Sequence, residues 1–331
     1  MAILTPLGGH IRRMRPGAWL PAALTLAGGL AVFAARSDSL RETAFTILLC
    51  IALTSSLNIF LGFTGYVNFG NIVFFGLGGY TGMYFLTVYD WPLYGGALAG
   101  GFVAAALAVL LGLAILRLRG AYFALATIGV NEAARAFVTN FTPFGGATGL
   151  SLNFAAYQKY GGAAQALWLV YGAMLAVVVA TLLAALAIKR SRFGLGLLAI
   201  REDEDAALTL GVDATLYKTL AYGASAFFPG VAGALFFFKN GNIEPGDAFR
   251  LQMSIESLVM LMLGGLGTVL GPVLGAFGYE RLRGLLLTSA ALKNLHLVFA
   301  GFALLLIVLF VPHGIVGTLR RRYPKTRRYL E

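Results

Sequence analysis

The run LYGGALAGGFVAAALAVLLGLAIL, Leu93 to Leu116, contains no charged residue, and Arg117 and Arg119 stand at its end. At about 1.5 Å per residue, a helix of this length crosses the ~30 Å hydrocarbon layer of a bilayer. Backbone polar groups in hydrocarbon must be satisfied internally, which leaves helices and closed barrels. The run lacks the period-two alternation of a barrel strand, so it is read as a transmembrane helix. Gly96, Gly100 and Ala104, four apart, match the small-residue spacing that lets helices approach closely in lipid, and ordinary helix packing accounts for them.

Segments of spanning or near-spanning length recur near 17–35, 43–61, 68–88, 93–116, 121–140, 164–188, 216–238, 252–270, 272–290 and 295–312. The chain is 59% hydrophobic and 12% charged, about half the ~25% charge density of a soluble domain. The fold class that follows is an all-α integral membrane protein, a polytopic bundle of about ten transmembrane helices with some broken or re-entrant. The run at 17–35 is long enough to span and reads as the first of them rather than as a cleaved signal. The net charge of +11 gathers at the ends of apolar runs: Arg12, Arg13 and Arg15; Arg117 and Arg119; Lys189, Arg190 and Arg192; and the tail from Arg320 to Arg328. That is the distribution of cytoplasmic loops under the positive-inside rule, and it puts both termini in the cytoplasm. A nucleic-acid partner would require a basic face or stripe. The organisation is a basic N-terminus at 1–16, one membrane domain at 17–318 with a cytoplasmic loop at 189–215, and a basic tail at 319–331. Loops near 36–42, 141–162 and 239–250 fall outside. Glu280, Arg281 and Arg283, late in the ninth segment, suggest that one glycine-broken segment re-enters rather than crosses. The single cysteine, Cys50, lies in an apolar run and reads as packing.

Two spans are broken by glycine: LGFTGYVNFGNIVFFGLGGY (Leu61–Tyr80) and LGGLGTVLGPVLGAFGYE (Leu263–Glu280). Both begin Leu-Gly-x-x-Gly. Such an echo between halves points to internal duplication around a site at membrane depth, and glycine tolerates the unwound backbone that such a site needs. The candidate translocation pathway is therefore Asn58, Gly62, Thr64, Gly65, Asn68, Gly70 and Asn71 in the first half, and Gly264, Gly265 and Gly267 in the second. Each asparagine, taken singly, serves either as interhelical glue or as pathway lining. Glu132 and Arg135, three apart, are spaced for an ion pair on one helix face, with a proton relay as the sharper alternative.

REDEDAALTLGVDATLYK (Arg201–Lys218) sets four acidic residues in a row in a chain that has only 14. The acidic start suits a helix N-terminus. Ala199, Ile200, Ala206 or Ala207 and Leu210 share an apolar face, Gly211 suits a C-cap and Asp213 the N-cap of the next helix. The expectation is one short amphipathic helix at the cytoplasmic surface. Its acidic face would be repelled by an anionic leaflet and offers itself to a protein partner.

Asp205-Ala206-Ala207-x-x-x-Gly211 resembles the Glu-Ala-Ala-x-x-x-Gly loop of ABC-importer permeases, with Asp in place of Glu. SLNIFLGFTGYVNFGNIVFFGLGGYTG (Ser56–Gly82), LRLRGAYFALATIGVNEAAR (Leu116–Arg135), GLGLLAIREDEDAALTLGVDATLYKTLAY (Gly194–Tyr222), GGLGTVLGPVLGA (Gly264–Ala276) and VPHGIVG (Val311–Gly317) together resemble branched-chain amino acid permeases of the LivM type. The resemblance implies one of two related permease subunits, the other of LivH type, in a bacterial or archaeal inner membrane. It further implies two cytoplasmic ATPase subunits that hydrolyse the ATP, and a periplasmic or lipid-anchored binding protein that delivers substrate. Arg201, Glu202, Asp203, Glu204, Asp205, Ala206, Ala207 and Gly211 would then couple to an ATPase. Asn71 stands where a histidine is usual, and the external loop Phe144–Gly149 is altered near Thr148. Related permeases carry urea or short amides, which stay open as substrates.

The chain has no G-x-x-x-x-G-K-[ST] phosphate loop, so no nucleotide cofactor is expected on it. No catalytic or metal-binding constellation is visible, and His10, His296 and His313 lie at or near span ends. A secondary transporter or channel would call for relay carboxylates or a self-sufficient gate. A membrane enzyme would call for clustered catalytic groups.

Overall fold

A computed structural model describes residues 19–153, 155–288 and 314–322. The helices in chain order are α1 (Leu20–Ala35), α2 (Asp38–Leu57, continued by a π-turn at Asn58–Gly62), α3 (Asn71–Val88), α4 (Leu93–Ile115), α5 (Ala121–Asn140), α6 (Ala155–Gln158), α7 (Ala163–Arg190), α8 (Arg192–Glu202), α9 (Glu204–Thr209), α10 (Ala214–Asn240), α11 (Pro245–Ala248), α12 (Leu251–Gly264), α13 (Leu270–Thr288) and α14 (Gly314–Arg322). A two-residue antiparallel ladder joins β1 (Leu150–Ser151) to β2 (Asn242–Ile243), with Leu150 opposite Ile243. The expected segment at 295–312, the basic N-terminus and residues 323–331 lie outside the described residues.

Among the described residues, five helices are long and apolar enough to cross a bilayer: α2 with its π-turn, α3, α4, α7 and α10. They do not share the interior equally. The most apolar window of α2 is 83% buried and that of α4 only 28%, so α2 runs through the core while α4 shows most of its surface outward. Close approach is made by glycine, as the spacing in α4 implied. A Cβ on Gly100 would lie 2.4 Å from the Gly78 carbonyl oxygen, and one on Gly230 would lie 2.7 Å from Ala104 Cβ. Helices α3, α4 and α10 therefore meet backbone to backbone, which maximises packing where water supplies no drive between helices.

The loops gather at two ends. At one, Lys159 pairs with Asp90, the Leu93 amide donates to Tyr160 Oη at 2.7 Å, and β1 meets β2. Buried Arg41 is held there by Asp38 at 2.8 Å and Glu42 at 3.2 Å, over the Trp168 ring. The other end carries the α4–α5 turn with Arg117 and Arg119, and the α7–α10 connection with its two short helices.

The segments expected at 252–270 and 272–290 differ in an informative way. Helix α12 stops at Gly264, and residues 265–269 form a turn, after which α13 packs back on it. Cβ atoms on Gly264 and Gly275 would each fall 1.9 Å from a carbonyl oxygen of the other arm. Fourteen residues of α12 make about 21 Å, short of the hydrocarbon thickness. Its start is tied into the interior of the bundle, because the Phe249 carbonyl accepts a hydrogen bond from the fully buried Asn131 at 3.0 Å. Of the charges noted late in α13, Glu280 and Arg283 are paired internally, while Arg281 lies over the Phe277 ring. Arg283 lies 3.2 Å from Glu280 and 3.9 Å from Glu256, and the Cys50 thiol donates to Glu280 at 3.4 Å.

Candidate functional site

The wide turn at Asn58–Gly62 carries α2 past its regular end, and Gly65, at φ +78°, breaks the chain into an unwound stretch that lasts to Gly70. Polar side chains hold that backbone. Thr64 donates to the Phe60 carbonyl at 2.8 Å, the Gly70 amide donates to Asn68 Oδ1 at 2.8 Å, and the Phe69 amide donates to Thr127 Oγ1 at 3.1 Å. The second break has Gly265 at φ 120° and Gly267 at φ 71°, conformations that glycine adopts without a Cβ clash. There Thr268 Oγ1 donates to the Gly265 carbonyl at 2.9 Å and accepts from the Gly271 amide at 3.0 Å.

The two breaks touch, and Asn58 is the joint. Its Nδ2 donates to the Thr268 carbonyl at 2.8 Å and its Oδ1 accepts from the Gly267 amide at 2.9 Å. It is fully buried, and a Cβ on Gly62 would lie 2.0 Å from its oxygen. Both ends of its side-chain amide are thus spent on joining the two breaks. Asn68 and Asn71 differ: both are buried, yet among the described residues Asn68 Nδ2 and Asn71 Oδ1 have no hydrogen-bond partner, nor has Asn131 Oδ1.

Arg201, from α8, reaches this joint. Its Nη1 donates to the Gly62 carbonyl at 2.7 Å, and a Cβ on Gly267 would sit 3.0 Å from the same nitrogen. A cleft of about 430 Å³ opens beside it, lined by Thr64, Gly65, Tyr66, Gly120, Ala124 and Arg201.

The single amphipathic helix expected over Arg201–Gly211 is two helices. The backbone turns extended at Asp203 (φ −157°, ψ 112°), ending α8, and the Asp203 carboxylate caps α9 by accepting from the Asp205 and Ala206 amides at 2.9 and 3.0 Å. An aspartate competes with the helix for its own backbone donors and favours such a cap. Gly211 turns the chain at φ +85° and Asp213 caps α10 by accepting from the Leu216 amide at 3.0 Å, as the sequence suggested. Ile200 and Ala207 are buried, but Leu210, expected beside them, is 81% exposed, because the break rotates α9 relative to α8.

Nor do the four acids form one outward face. Glu202 is exposed and Asp203 is a cap, while Asp205 makes a bidentate pair with Arg119 at 2.9 and 3.2 Å. Glu204 turns inward and meets Lys218 Nζ at 2.8 Å, Tyr66 Oη at 2.5 Å and Arg119 at 3.7 Å. Burial by itself would raise the Glu204 carboxyl, but the hydrogen bonds from Lys218 and Tyr66 and the nearby cations hold it below its usual range. A carboxyl lowered on folding stabilises the fold fully above its unfolded pKa, about 4.3, and that contribution is lost as pH falls through the lowered value. The stability difference between the protein and its Glu204→Gln variant should therefore be flat at neutral pH and shrink below about pH 4, as acid titration of the thermal midpoint will show.

Tyr66, Lys218 and Thr268 were not singled out from sequence. Lys218 had a visible signal, as a lysine in the first turns of an apolar span, where a charge requires a partner. Tyr66 and Thr268 had none, since only the meeting of distant segments gives them work. Glu132 and Arg135 do pair, at 3.0 Å, and both side chains stay half exposed.

A helical bundle of apolar spans that enclose two abutting glycine breaks, tied to a helix pair at one end, is by class a multi-pass membrane protein. A family model described as branched-chain amino acid transport system / permease component matches residues 40–309, and the chain belongs to that family. Among its relatives are the high-affinity branched-chain amino acid transport system permease proteins LivM of Salmonella typhimurium and of Escherichia coli. Each is 28% identical over 306 residues, covering 84% of this chain and 70% of the relative. No solved structure matches.

Proposed function

We propose that this permease is one of two related transmembrane subunits of an ATP-driven importer for branched-chain amino acids, in a bacterial or archaeal inner membrane. It works with two cytoplasmic ATPase subunits, a LivH-type permease and an external binding protein. The ATPases hydrolyse the nucleotide, and both termini and the α7–α10 connection face them from the cytoplasm. Family membership and the names of the relatives support the importer and its substrate class.

One observation carries the coupling role: Arg201, on the helix pair that the membrane domain extends toward an ATPase, holds the Gly62 carbonyl at 2.7 Å. Movement of α8 thereby pulls on the point where both broken spans meet. The docking element is the apolar end of α9. Leu208 and Leu210 are 47% and 81% exposed on a connection flanked by Glu202, Asp203 and Asp213, and that negative charge disfavours an anionic lipid surface. Leu210→Asp should weaken ATPase association about tenfold or more, as loss of a central apolar anchor does, measured by co-purification from mild detergent at graded salt.

The test of the assignment is purification of the tagged chain with its companions. Recovery of ATPases containing a phosphate loop and of a second related permease is the expected result. Recovery of this chain alone, moving solute after reconstitution without ATP, would replace it with a secondary transporter.

A further inference from the structure

Lys218 stands in the second turn of α10 with its side chain 2% exposed. It has three oxygen partners: Glu204 at 2.8 Å, the Leu116 carbonyl at 3.1 Å and Tyr66 Oη at 3.1 Å. The Tyr66 hydroxyl in turn donates to the other Glu204 oxygen at 2.5 Å. The ammonium also lies 4.5 Å from the centre of the Tyr66 ring. Four elements are thus tied at one buried point: the helix pair through Glu204, the first turns of α10 through Lys218, the α4–α5 turn through Leu116, and the unwound stretch through Tyr66.

The position of Tyr66 gives the cluster a direction. It immediately follows Gly65, whose φ of +78° is the break itself, and it lines the same cleft as Arg201. The helix pair therefore grips the first break on both sides, by Arg201 at the Gly62 carbonyl before it and by Glu204 at the Tyr66 hydroxyl after it. Removing one partner of a buried ion pair leaves an uncompensated charge, so Lys218 keeps the Glu204 carboxylate charged and fixed where Tyr66 can reach it.

We propose that Lys218, Glu204 and Tyr66 form a buried joint that makes the unwound stretch follow the helix pair, so that Lys218 and Tyr66 are positioning residues for energised transport. The proposal rests on the importer reading above. It removes Glu204 from any docking surface and gives the outward contact to the apolar end of α9.

The test is uptake per ATP hydrolysed in proteoliposomes holding the complete complex, with Tyr66→Phe and Lys218→Met. Tyr66→Phe keeps the ring and deletes only the hydroxyl that links Glu204 to the unwound stretch. The expected result is an assembled complex whose hydrolysis rate stays within about twofold while uptake per ATP falls about fivefold or more, the scale of a ~1 kcal/mol coupling. Lys218→Met is expected to lower uptake per ATP further, in a complex that still assembles. A merely structural role would lower assembly, hydrolysis and uptake together. An unchanged uptake-to-ATP ratio in Tyr66→Phe would overturn the proposal. Failure of the unmodified chain to bind any ATPase would instead overturn the importer reading, so the two failures are distinguishable.

Discussion

Arg201→Ala is expected to cut ATP-driven uptake by on the order of tenfold or more while the ATPase subunits stay bound. The side chain contributes one charge-assisted hydrogen bond, to the Gly62 carbonyl at 2.7 Å, and such bonds are worth about 1.5–3 kcal/mol. A coupling free energy of about 1–3 kcal/mol corresponds to a change of roughly 5- to 150-fold. The Gly62 carbonyl ends the π-turn of α2 and lies against Gly267, so the lost bond frees both breaks from α8. Arg201→Lys is not an adequate substitute. A lysine is shorter and places a point charge where the guanidinium offers a planar fork, so it should restore only part of the activity. The measurement is initial uptake rate against bound ATPase in the same preparation. Full uptake in Arg201→Ala would remove the link from the mechanism.

Asn58→Leu should be the most destabilising single change at the site. It leaves the Gly267 amide and the Thr268 carbonyl without their side-chain partners, at 2.9 and 2.8 Å, in a fully buried place. Each orphaned group costs about 1–3 kcal/mol, so the loss is about 2–6 kcal/mol against a typical total stability of ~5–15 kcal/mol. A lower thermal midpoint in detergent, with poor recovery of folded protein, is the expected result. Asn58→Asp should not rescue it, since a carboxylate can accept from Gly267 but has no donor for Thr268. A midpoint within a degree of the unaltered protein would mean that the breaks are held together by packing alone.

The bundle and most of its boundaries were legible in the sequence because transmembrane helices are dictated locally. Length and apolarity place α3, α4, α7 and α10, and the glycine pairs at 62–65 and 264–267 mark the breaks. The caps at Asp213 and Gly211 followed from local hydrogen bonding and from a positive φ. The rest depended on contacts between distant residues. Nothing near Asn58 says that it bonds to residues 267 and 268. Nor does anything near Glu204 say that it points inward to Lys218 and Tyr66. The break at Asp203 was hidden by its surroundings, because an acidic run suits the first turn of a helix equally well whether that helix begins at residue 201 or 204. Moving the start to Glu204 rotates Leu210 out of the expected apolar face and leaves it exposed at the end of α9.

The proposed function makes this chain part of a pathway driven by separate ATPases. Its most direct test is uptake of labelled leucine into proteoliposomes holding the purified complex and its binding protein, with and without ATP, and with urea and acetamide as competitors. Uptake should require ATP and the ATPase subunits, resist both competitors, and collapse in Arg201→Ala. Equal uptake without ATP, or uptake of urea in preference to leucine, would contradict it.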